Sequence, residues 1–181
     1  ENTLNLKLAS ELYRDVIRRG KFQPEGWLER YVEVMLTPGW HNDTYAEEYH
    51  RAFFANYARG KKLSACGIAD FHIGGLSLVP ALLAGLETIG QVDENQLIDA
   101  TKLLVMGTHN HPNTLRSACD LTRILINLKK GINLRNTLSD LQLSDAPLSS
   151  LKKWESQPDR LVVGKNLSTA CYLPESFTAS I

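Results

Sequence analysis

The stretch that most constrains the fold runs from Leu76 to Gly90. It is apolar on nearly every side, with Leu76, Leu78, Val79, Leu82, Leu83 and Leu86 spread round the helical wheel. A helix without a polar face has to be surrounded by other elements, so the rest of the chain must supply them. The flanking segments are helical too. Leu4, Leu8, Leu12 and Val16 recur every four residues, and Gly20 ends that helix. Pro24 opens a second helix, which Pro38-Gly39 stops. Thr44 and Glu47 have capping-box spacing, so a third helix is expected to start at or near Thr44. Its face is an aromatic column of Tyr45, Tyr49, Phe53 and Tyr57. Asp93 and Gln96 repeat that spacing ahead of a fifth helix, and Pro112 opens a sixth that Gly131 closes. Shorter helices are expected over 133–143, around Leu148, Leu151 and Trp154, and from Pro174 through Phe177 to Ile181. No segment alternates as a strand would. The expected class is all-α, a multi-helix orthogonal bundle around a buried central apolar helix.

Composition narrows the function. Lys plus Arg and Asp plus Glu are both 20, and the net charge of zero argues against nucleic acid as a partner. No run of about 20 apolar residues is present, so no membrane insertion is expected. Three widely spaced cysteines without CxxC spacing fit reduced thiols and an intracellular, cytoplasmic setting.

Three short stretches gather polar residues just ahead of helices. They are His41-Asn42-Asp43-Thr44, Asp70-Phe71-His72-Ile73-Gly74-Gly75 and Thr108-His109-Asn110-His111-Pro112. Helix N-termini present free backbone N–H groups and a partial positive charge, so three of them converging would form an anion pocket. Paired glycines, Gly74 and Gly75, would let a ligand approach the backbone; equally, they can make a plain turn. Likewise Asn110 or His111 can be simply a helix cap and His109 a hydrogen-bonded loop residue. A transition-metal site from His41, Asp43 and His50, or from His109 with His111, is a further option, though none has a standard spacing. No GxSxG motif points to a serine triad.

Taken together, the order and spacing resemble the ADP-ribosylglycohydrolase family, and the resemblance spans nearly all of the chain. Thr108-His109-Asn110-His111-Pro112 is similar to the family's Thr-His-x-His-Pro segment. Phe71-His72-Ile73-Gly74-Gly75-Leu76-Ser77-Leu78-Val79-Pro80 falls where the family carries a Gly-Asn-Gly-Ala-Ala-Met-Arg-x-x-Pro loop that cradles ADP-ribose. Here His72 stands for the asparagine and Ser77 for the arginine. Trp40 to Gly60 resembles the helix ahead of that loop. The resemblance implies binding through His41, Asn42, Asp43, Asp70, His72, Gly74, Gly75 and His109. It implies ADP-ribose or an ADP-ribosylated protein as partner, and hydrolysis of an N- or O-glycosidic bond with two magnesium ions. The family's Asp-Asp-Thr motif is represented by Thr3 at most, and its late acidic motif has no counterpart before Ile181. The expectation is therefore one ADP-ribosylglycohydrolase-like domain over residues 1–181, incomplete at both ends and inactive alone. A second polypeptide could cover its open face. The alternative is a non-catalytic relative serving as a structural or ligand-binding interaction module.

Overall fold

The computed structural model describes residues 3–43, 45–140, 154, 156–167 and 170–180. Among them no strand forms, and the chain is all-α. The helices are α1 (Leu4–Arg19), α2 (Pro24–Leu36), α3 (Glu48–Ala58), α4 (Val79–Thr88), α5 (Glu94–Met106), α6 (Pro112–Lys129), α7 (Leu134–Asp140), α8 (Asp159–Val162) and α9 (Glu175–Thr178). Two 3-10 turns, Leu63–Ala65 and Ile73–Leu76, lie between α3 and α4.

Local chemistry sets most of the boundaries. Thr3 caps α1 through its hydroxyl, and Gly20 ends it in the left-handed region at φ 66°. Asp93 accepts the Gln96 N–H at 2.9 Å and starts α5. Pro24 and Pro112 open their helices, where a missing N–H costs nothing. The column Leu4, Leu8, Leu12 and Val16 is buried along its length. It faces α4, and the two helices come close where Gly85 lacks a side chain. A Cβ there would lie 3.1 Å from Val16.

Two expectations are corrected. The run Leu76–Gly90 is not one helix buried all round. It divides into the 3-10 turn and α4, and α4 packs on α1, α5 and α6 while Pro80, Ala84 and Glu87 stay exposed. Helix α3 begins at Glu48 rather than near Thr44, because Glu47 is the residue that leaves the extended region there. Tyr45 consequently stands outside the helix and is exposed, with Arg51 stacked over its ring. Thr44 itself, the 141–143 end of the seventh helix, Leu148, Leu151 and Ile181 lie outside the described residues.

Acidic and basic groups also fix helices to one another. Asp15 is buried on α1 and accepts from Arg18 at 2.5 Å and from Arg19 at 2.9 Å. Arg19 also donates to the Gly26 carbonyl on α2 at 3.3 Å. Thr101 and Thr122, both fully buried, share a 3.0 Å hydrogen bond between α5 and α6. Among the described residues no helix is long and apolar enough to cross a membrane.

Candidate functional site

Two of the three polar stretches meet at one aromatic residue. Tyr49 on α3 is buried, and its ring lies 4.2 Å from that of His50, 4.1 Å from His109 and 5.8 Å from His72. His41 belongs to the same neighbourhood. Burial first, and then the nearby His109, His41 and His72, push His50 down to about 3. Burial likewise brings His109 down to about 4, against the pull of Asp70. Both rings are therefore neutral near pH 7. Burial and the carboxylates of Glu47 and Asp70 raise the Tyr49 phenol, so it is a fixed O–H.

Each predicted residue has a definite place. Trp40 and Glu47 are tied to α1, where Lys7 donates to the Trp40 carbonyl at 3.1 Å and Asn5 to Glu47 at 3.3 Å. Asn42 and Asp43 are exposed on this loop. Asp70 accepts the His72 N–H at 2.8 Å, and its carbonyl takes the Thr114 hydroxyl at 2.8 Å. His72 and His111 are helix caps of one design. Nδ1 of His72 accepts the Gly74 N–H at 2.9 Å, and Nδ1 of His111 accepts the Asn113 N–H at 3.2 Å. These two amides are thus bonded within the protein. His109 sits at the centre, with Nδ1 2.8 Å from the Thr108 hydroxyl.

The two glycines fit tightly. A Cβ on Gly74 would fall 2.7 Å from the Tyr49 hydroxyl, and one on Gly75 would fall 2.7 Å from Thr114 and 2.9 Å from His109. The close approach that the missing side chains allow is occupied by the protein's own Tyr49, His109 and Thr114. Gly67 does the same for the neighbouring loop, where a Cβ would meet the Gly107 carbonyl at 2.6 Å. Ile68 then brackets His109, with the Asn110 N–H donating to the Ile68 carbonyl at 2.8 Å.

Sequence reasoning missed two features. One is the aromatic group at the mouth of this cluster. Phe71 lies 5.1 Å from Tyr172 and 5.3 Å from His111, and Tyr172 lies 6.0 Å from His72. Phe71 is 41% and Tyr172 50% exposed, so the rings offer open faces. Backbone bonds hold them together: Ile73 N–H to the Cys171 carbonyl and Leu173 N–H to the Phe71 carbonyl, both at 2.8 Å. The other is the pairing of His50 Nδ1 with the Tyr31 hydroxyl at 2.5 Å, deep in the core.

Magnesium takes oxygen ligands in near-octahedral geometry. Of the oxygens on these loops and on α1, Thr3 Oγ1 takes the Leu6 N–H, Asp70 Oδ1 the His72 N–H and Glu47 Oε1 the Asn5 amide. Among the described residues no three His, Cys, Asp or Glu side chains converge on a common ion. A second, wider hollow of about 480 Å³ lies between α4 and α6, apolar from Leu83 to Ile126. Lys129–Glu87 and Lys130–Glu94 ion pairs stand at its rim. It contains none of the predicted residues. No family model matches the chain, and neither does any curated protein or solved structure.

Proposed function

We propose that the chain is an ADP-ribosylglycohydrolase-type domain whose described residues form the ligand-receiving part of the site. The observation that carries this reading is the half-exposed group of Phe71, Tyr172 and His111 beside the convergent loops 70–75 and 108–111. Flat, open rings stack on a base, an interaction worth about 1–3 kcal/mol per base. The polar loops beside them suit the ribose and phosphates of ADP-ribose, free or attached to a protein. The reaction that the resemblance implies is hydrolysis of the glycosidic bond between ADP-ribose and a protein side chain. Magnesium, when bound, would supply an activated water for it. Thr3, Asp43 and Asp70 supply binding and support in this proposal and no proton-transfer step.

One observation favours the non-catalytic alternative. His50 and His109, the histidines at the centre, are held neutral at about 3 and about 4. A general base works best with a pKa near the operating pH, so these rings serve as hydrogen-bonding groups and not as the base.

Titration calorimetry separates the readings. ADP-ribose is expected to bind with a Kd of about 100 μM or weaker, unchanged by magnesium. Ribose 5-phosphate, which lacks the base, should bind at least about fivefold more weakly, and Phe71→Ala should cost the same factor. Absence of binding by the folded chain at millimolar ADP-ribose overturns the proposal. Tightening by magnesium would place the ion on this chain's own oxygens and favour the hydrolase over the binder.

A further inference from the structure

Beside Tyr49, among α1, α2, α3 and the loops 74–78 and 108–109, lies a cavity too small for any part of a nucleotide. It measures about 20 Å³ and is walled by Leu8 and Trp27 on the apolar side and by Asn5, Tyr49, His50 and His109 on the polar side. A water molecule needs roughly 10–15 Å³, and polar cavities of that size fill while apolar ones stay dry. Two atoms of this wall are buried without a protein partner, Nε2 of His50 and Nε2 of His109. Their residues are 3% and 1% exposed. Leaving a buried polar atom unsatisfied is costly, so a guest that bonds both is favoured.

The opposite nitrogen of each ring fixes what these atoms offer. The Tyr31 hydroxyl, 2.5 Å from His50 Nδ1, is a phenol that burial keeps protonated, which leaves it able to donate to the ring. A neutral imidazole that accepts at Nδ1 carries its hydrogen on Nε2. The Glu47 carboxylate, 3.7 Å from His50 Nε2, is beyond hydrogen-bond range. His109 Nδ1 faces the Thr108 hydroxyl, which can give or take a proton, so its Nε2 is either acceptor or donor.

We propose that this cavity binds one water molecule, which accepts from His50 Nε2–H and bonds His109 Nε2, joining α3 to the 108–111 loop. Water donates twice and accepts twice, so it satisfies whichever tautomer Thr108 imposes on His109. No carboxylate is among the described residues that line the cavity, which disfavours a small cation in its place. The inference holds whether or not the loops above receive ADP-ribose.

A crystal structure of the ligand-free 181-residue chain tests it. The expected result is one solvent peak within about 3.2 Å of both Nε2 atoms. An empty cavity overturns the proposal, and so does a peak at the roughly 2.0–2.1 Å typical of zinc on imidazole. Long-range nitrogen–proton NMR of the histidines tests the donor independently. His50 should be the Nε2–H tautomer, and Tyr31→Phe should lose that preference. A Nδ1–H tautomer in the unsubstituted chain overturns the assignment.

Discussion

Single atoms decide the tightness of the site. Gly74 and Gly75 sit where a methyl group would enter Tyr49 and Thr114, and both neighbours are anchored, Tyr49 through Asn5 and Thr114 through the Asp70 carbonyl. Gly75→Ala is expected to destabilise the protein by about 2 kcal/mol, since overpacking a filled site commonly costs 1–3. Urea unfolding measures it, and an unchanged midpoint would show that the 72–76 turn can shift aside. The sequence displayed both glycines but not their purpose. A glycine pair reads identically whether a ligand or a tyrosine fills the space, and only the fold brings Tyr49 there. His109 was legible as special, whereas its burial against Tyr49 was not.

At the level of elements, the boundaries that depend on neighbours in sequence were readable and those that depend on distant contacts were not. The Gly20 cap, the Asp93–Gln96 box and the Pro112 start are all set within one turn of chain, and each appears as expected. The start of α3 was misplaced, and contacts from a distant helix act on either side of it: Lys7 and Asn5 on α1 hold Trp40 and Glu47. The caps allow a direct test. His111→Ala should weaken α6 by about 1 kcal/mol, and His111→Asn should restore most of it, because asparagine is a strong N-cap. Equal losses for both would mean that the Phe71 contact, and not the cap, is what His111 contributes. The Asp15 carboxylate accepts from two arginines of its own helix, and Asp15→Ala should lose about 2 kcal/mol in the same assay, as charged hydrogen bonds in a buried setting do.

For the whole molecule, the buried imidazoles make stability depend on acid. Folded, His50 and His109 titrate at about 3 and about 4. Unfolded, both return to about 6.5 and take up protons more readily than the native state. Stability is therefore full above about pH 6.5 and falls as the pH drops toward 4 and then 3. Each full unit of pH well inside that window removes about 1.4 kcal/mol per histidine. Denaturation midpoints at pH 7, 5.5 and 4.5 should decline in steps, and His109→Gln should flatten the curve; a profile that is level across that range would contradict the buried neutral rings.

The pair of backbone bonds between residues 71–73 and 171–173 has a consequence for how the molecule breathes. They stitch the C-terminal segment of the described chain to the 71–73 stretch, and Leu173 and Phe177 seat that segment in the core. Segments of this kind open at a free energy well below that of the helical body. The exposed rings would separate in such an opening, with Tyr172 leaving Phe71, while the histidines under Tyr49 stay closed. The amide hydrogens of Ile73 and Leu173 should then exchange with solvent together, ahead of those in α1 and α5, and slow together when a ligand bridges the rings.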